Sequence, residues 1–220
     1  MGRVDATPSK KYMEIEKVNN FWVPSNDIHI DEWKAGKPFT QNKCLEKFID
    51  YCKKNTLKFN HILDIGAWVG TWSMAMNPYC GRVVAFEPDP LHYSCLVQNV
   101  SDDIETHQLA VGSDSKNISL SDDNFTQAKR IIGNGDIPMV TVDSLKLDDV
   151  DMIKIDVEGY EMEVLKGAEN TLKHCKYLMI ELNNNTKKYG SSNIAVEKHI
   201  ANLGFKVLMD HWPDKVFHRP

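Results

Sequence analysis

The chain lacks long apolar runs, clustered basic residues and paired cysteines, and each shortage removes a class of protein. No stretch approaches the ~20 consecutive apolar residues of a membrane helix, so no membrane-spanning segment is expected. The net charge is −5 and no run of five Lys or Arg occurs. The electrostatic footprint of a nucleic-acid binder is therefore missing, and nucleic acid is not an expected partner. Five cysteines (Cys44, Cys52, Cys80, Cys95, Cys175) are scattered without a CxxC pair. That pattern argues against a disulfide scaffold or zinc ribbon and for a reducing compartment, taken as the cytoplasm. The first twenty residues are polar and carry no apolar core of a secretory signal.

What is present is an ordinary globular composition over 220 residues, enough for one sizeable core. Residues 1–40 read as an N-terminal arm, partly irregular, because 21–41 mix aromatics and turn formers without a period. Residues 41–220 read as one Rossmann-like domain. Leu45, Phe48, Ile49 and Cys52 share a helical face. Beyond them short apolar strands alternate with helices. The strand stretches are "HILDI", "RVVAFE", "HQLAV", "MIKIDV" and "YLMIEL", with helices in "TWSMAM", "PLHYSCLVQNV", "EMEVLKGAENTLKH" and "NIAVEKHIANLG". This alternation predicts an α/β fold with a doubly wound, mostly parallel sheet covered on both faces. Two departures are expected: an inserted hairpin over 117–147 ("NISLS" and "MVTVDSL"), and a final antiparallel pair, "FKVLMD" and "KVFHR".

In such sheets ligands sit outside the carboxyl ends of the strands. There "LDIGAWVG" places Asp64, Gly66, Ala67, Trp68 and Gly70, and Glu87-Pro88 follows the second strand, with Glu87 21 residues after Gly66. The glycines allow a tight turn and a close ligand, and a carboxylate at Glu87's distance suits the two hydroxyls of a ribose. A dinucleotide site requires G-x-G-x-x-G, and here Trp68 stands in place of the second glycine, crowding a diphosphate. An aspartate expected to point into the crevice from Asp64 also disfavours an anion. It favours a ligand with an amino group and a sulfonium, S-adenosyl-L-methionine, beside which the Trp68 indole could add a cation–π contact.

The motifs "LDIGAWVGTWS", "AFEPDP", "LAVG", "VTVDSL" and "DMIKIDVEGYEMEVLKGA", in order across residues 63–168, resemble the FkbM family of S-adenosylmethionine-dependent methyltransferases. The resemblance implies the seven-stranded methyltransferase fold. Asp64, Gly66 and Gly70 would then hold the methionine end of the cofactor, Glu87 the ribose and the turn at Ala110 the adenine. Gln41, in an arm seen in some members, would lie near the amino-acid end.

In this fold the strands ending at Asp64, Asp156 and Glu181 are neighbours, so Asp156, Glu158 and Glu181 would crowd one mouth. Like charges raise one another's pKa values, which favours a base working near neutrality. Asp156 is the candidate base or substrate orienter, also beside the cofactor, and Glu158 its partner; Glu161 reads as a helix N-terminal acid. The same three carboxylates could hold a hard cation, but methyl transfer needs no Lewis acid, and no metal is assigned. The turn after the fourth strand reads "DVEG" rather than the N/D-P-P-Y/F of amino-methylating enzymes. This favours oxygen acceptors: hydroxyls of a sugar, glycan or small metabolite. The alternatives are a Rossmann-type nucleotide-sugar oxidoreductase and a non-catalytic cofactor-binding module.

Overall fold

The computed structural model describes residues 14–37, 42–121 and 129–220. Gln41 lies outside them. Helix α2 (Lys43–Lys54) starts where the Asn42 side chain accepts from the Leu45 amide, and it buries Leu45, Phe48 and Cys52. The α/β core then follows as β3 (Phe59–Ile65), α3 (Thr71–Met76), β4 (Cys80–Phe86), α4 (Pro90–Asn99) and β5 (Ile104–His107). After an insertion come β9 (Val150–Ile155), α5 (Glu161–Lys166), α6 (Glu169–Leu172), β10 (Tyr177–Glu181), α7 (Asn193–Asn202), β11 (Lys206–His211) and β12 (Asp214–His218). The seven strands lie in the order β11-β12-β10-β9-β3-β4-β5. Neighbours are parallel except where β12 runs antiparallel between β10 and β11.

Alternation along each strand splits the core into two layers. Leu63, Ile65, Ile153, Ile155, Leu178 and Ile180 pack beneath α5, α6 and α7. Ile62, Met152 and Met179 pack on the opposite face against Phe48 of α2 and Trp72 and Met76 of α3. Each layer covers one side of the sheet, as the doubly wound expectation requires.

Four sequence expectations need correction. "HQLAV" is not one strand: β5 ends at His107, the chain turns, and β6 (Ala110–Val111) pairs with the insertion instead. The insertion is a three-stranded sheet in the order β6-β8-β7. Its hairpin joins β7 (Lys116–Leu120) to β8 (Ile131–Val140), so of "MVTVDSL" only Met139 and Val140 belong to the strand. The long helix expected over 161–174 is broken into α5 and α6. The Asp143 carboxylate accepts from the Asn170 and Thr171 amides at 2.9 and 2.8 Å, and so caps a second start. Finally, the described arm is ordered: β1 (Ile15–Val18) and β2 (Phe21–Pro24) form a hairpin, followed by α1 (Ile30–Lys34). Short strands joined by a two-residue turn leave too few residues for a period to show.

Candidate active site at the carboxyl ends of the strands

A cavity of about 330 Å³ opens where β3, β4 and β9 end, a size suited to a small ligand. Gly66, Trp68, Glu87, Pro88, Ala110, Asp156 and Glu158 all line it. Gly66 sits at φ +80°, and a Cβ there would come within 1.8 Å of the Asp156 carbonyl oxygen. The approach of β9 thus demands a glycine by geometry and by contact. Glu87 follows β4 and is nearly buried. Its Oε2 accepts from the Trp68 amide and its Oε1 from the Asp89 amide, both at 2.9 Å. A carboxylate pinned this way keeps further lone pairs for a pair of hydroxyls. Leu109, Ala110, Val111, Leu120, Ile131 and Tyr160 give the cavity an apolar lining. A carboxylate next to an apolar slot has the chemistry to take an adenosine-containing cofactor.

Three residues expected at the ligand do not line the cavity. Asp64 is fully buried. Strand alternation puts it on the same face as Ile62, beneath α3, where Ser73 Oγ donates to Oδ2 at 2.6 Å and Lys154 Nζ lies 3.1 Å from Oδ1. Its carboxylate therefore braces the loop from behind instead of projecting into the crevice. Ala67 packs among Val83, Ala85 and Leu96. Gly70, at φ +93°, is a glycine because a Cβ would meet Val100 at 2.7 Å and Leu96 at 2.8 Å, which is a requirement of α4 packing. Trp68 does reach the cavity, but its ring neighbours are Trp33 of the arm at 5.7 Å and His92 at 6.5 Å.

At the mouth, carboxylate oxygens of Asp156, Glu158 and Glu181 lie within 4.8 Å of one another, close enough to hold one divalent cation. Burial, then the neighbouring Asp156, pushes Glu181 far above the usual carboxylate range. The same two causes, in the same order, raise Glu158. Asn185 Nδ2 and Asn183 Nδ2 donate to Glu158 Oε2 at 2.7 and 3.3 Å, fixing a side chain whose backbone sits at φ +55°. Such strain in a non-glycine residue is concentrated at functional sites. Asp214, paired in register with Glu181, joins the cluster from β12, and burial followed by Asp156 lifts it to about 6.

Sequence reasoning overlooked Lys154 and Asp214, and set His92 aside for want of metal-ligand spacing. Lys154 Nζ donates to the Gly66 carbonyl at 2.6 Å and lies 3.6 Å from Asp156. Burial works against its charge, yet Asp64 and Asp156 together raise its pKa. The signal was available: a lysine inside the apolar run "MIKI" must be paired if the strand is buried on both faces. His92 lines the cavity from the first turn of α4, and Asp89, the cap of that helix, is ion-paired to Lys129 of the insertion.

A doubly wound seven-stranded sheet with its last strand reversed, and a cavity with a carboxylate at the strand ends, define the Rossmann-like methyltransferase fold. The methyltransferase FkbM domain matches residues 60–207, and the chain belongs to that family. S-adenosylmethionine is the methyl donor the family implies. A hexuronic acid methyltransferase, AglP of Haloferax volcanii, is 28% identical over 130 residues, 54% of this chain and 54% of the relative. The chain thus spans about half the length of the curated relative it matches. Methyltransferase FkbM from Methylobacillus flagellatus KT superposes with a TM-score of 0.55 at 19% identity, covering 76% of this chain and 46% of that one. Magnesium protoporphyrin IX methyltransferase from Synechocystis PCC 6803, solved with bound S-adenosylmethionine, gives 0.53 at 10% identity, covering 89% and 93%. At these identities the structural likeness speaks for the fold.

Proposed function

We propose that this methyltransferase acts on an oxygen, a hydroxyl of a sugar or sugar-containing small molecule, with residues 41–220 as the transfer unit and 1–40 as an arm upon it. The observation that carries the reading is the cavity itself, which Glu87, Asp156 and Glu181 all line. When bound, S-adenosylmethionine supplies an electrophilic methyl group on a sulfonium. Gly66, Trp68, Glu87, Pro88 and Ala110 would hold its nucleoside, with Asp64 and Lys154 fixing the loop from beneath.

A hydroxyl that gains a methyl group must lose its proton. Asp156, beside Glu181, would accept it, and Glu158, tied by two asparagine amides, would orient the acceptor. A positioned base is worth about 10²–10⁴ in rate, and in-line positioning of the acceptor adds more. A carboxylate acceptor needs no base and would meet like charge at this mouth, so a hydroxyl fits better than the acid group of a uronate. The AglP likeness supports a sugar acceptor. Unpaired thiols suit work in a reducing compartment such as the cytoplasm. Among the described residues no helix is long and apolar enough to cross a membrane.

The test is transfer of a labelled methyl group to a panel of neutral sugars, amino sugars and uronates. An ether survives mild alkali and an ester releases methanol. Alkali-stable label on a sugar supports the reading; alkali-labile label on uronates alone would sink it.

A further inference from the structure

The arm does not sit idle on the surface. Asn99, the last residue of α4, bonds in two directions. Its Oδ1 accepts from the Trp22 amide at 2.7 Å, and its Nδ2 donates to the Trp22 carbonyl at 2.9 Å, so one side-chain amide mimics a paired strand against β2. The same Nδ2 also donates to the carbonyl of Val69, in the cofactor loop, at 2.9 Å. One side chain thus ties the arm hairpin, α4 and the glycine loop together.

A second contact comes from the arm's own apolar cluster. Val18, Val23 and Trp33 are buried together, and the Trp68 indole packs against them, with the Trp33 and Trp68 ring centres 5.7 Å apart. Trp68 occupies φ +50°, a backbone region costly for a bulky side chain. In that conformation its amide reaches Glu87 Oε2 at 2.9 Å. The route is continuous: arm cluster and Asn99 hold Trp68 and Val69, and Trp68 holds the Glu87 carboxylate.

We propose that Asn99 and Trp33 are positioning residues for the nucleoside half of the cofactor, acting through Trp68 and Glu87, and that the arm sets cofactor affinity. The proposal rests on Glu87 being the ribose ligand of the preceding subsection. Neither residue lines the cavity, so any effect they have on binding is transmitted. Preorganising a ligand group in its bound position lowers the cost of binding without adding a contact.

The experiment is calorimetry of the full chain with S-adenosylhomocysteine and with 5′-methylthioadenosine, which keeps the ribose and lacks the amino-acid end. Wild-type protein must bind S-adenosylhomocysteine; if it does not, the functional reading fails first and separately. In Asn99→Ala and Trp33→Ala both Kd values are expected to rise by a common factor of roughly ten, the scale of one or two hydrogen bonds. The KM for the methyl donor rises with them, while kcat at saturating donor stays at the wild-type value. Trp33→Phe, which keeps a ring against Trp68, restores most of the affinity. If the alanine variants lose thermal stability without ligand yet bind both compounds as tightly as wild type, the arm is mere packing and the proposal is overturned. It is also overturned if affinity for S-adenosylhomocysteine falls while that for methylthioadenosine does not, since the effect would then lie at the amino-acid end. Should either alanine variant fail to fold, Trp33→Leu, which fills the cluster without a ring against Trp68, and Asn99→Ser, read on the same two ligands, decide by the same rule.

Discussion

Asp64 and Lys154 stand directly opposite each other in the parallel pairing of β3 and β9, and the Lys154 ammonium lies 3.1 Å from the Asp64 carboxylate. Both point to the α3 side of the sheet, and the lysine also holds the Gly66 carbonyl. This buried pair fixes the turn at Gly66 to β9, just ahead of Asp156.

Removing one partner leaves a buried charge without compensation. Lys154→Met is expected to destabilise the protein by about 3–5 kcal/mol, and Lys154→Met with Asp64→Asn by markedly less. Urea unfolding of the two variants measures the difference. Equal losses would show that the pair carries no coupling. Asp64→Ala should likewise appear in stability before it appears in cofactor binding. Glu87→Ala should do the reverse, weakening S-adenosylhomocysteine by roughly 1–3 kcal/mol.

Asp156→Asn should lower kcat by about 10²–10⁴ if the carboxylate takes the acceptor's proton. Glu158→Gln keeps a group that the Asn183 and Asn185 amides can still contact, so a smaller loss, expressed mainly in acceptor KM, is expected. Steady-state kinetics with the acceptor found by the labelled panel reads both.

Glu161 begins α5 with its side chain buried; Oε1 accepts from the Gly159 amide at 2.8 Å and Oε2 has no partner among the described residues. Burial is the main cause that lifts it from 4.5 to about 7. A raised acid binds its proton more tightly in the folded chain. Its contribution is therefore whole below about pH 4.5 and is lost as pH climbs through 7. The loss is on the order of 3 kcal/mol. Glu161→Gln should match wild type near pH 4 and exceed it in stability at pH 8. Parallel melting curves across that range would show identical slopes if the carboxyl were not the cause.

The compact Asp156, Glu158 and Glu181 group could accept a proton or a cation, and the two differ in a simple assay. Activity is expected to survive EDTA. A loss that added Mg²⁺ or Mn²⁺ restores would assign the mouth to a metal instead.

Much of this was legible in the chain because it is local. The strand-to-helix turn at Gly66, the carboxylate after "VVAF" and the run "MIKIDVEG" each declare themselves within a few residues. Strand order then follows from the fold they imply, which is why Glu87, Asp156 and Glu181 could be placed at one edge. The arm hairpin and the division of α5 from α6 were not legible, since each depends on a partner far along the chain: α4 for the arm, Asp143 for the helix break.

The sequence by itself determined that acids stand at the strand ends, since side-chain period and turn chemistry act over a handful of residues. Only the tertiary structure decided which of them face the cavity. Asp64 and Lys154 are 90 positions apart, and their union depends on the register between β3 and β9, set by packing on both faces of the sheet. That register turns an acid expected in the crevice into the anchor beneath it.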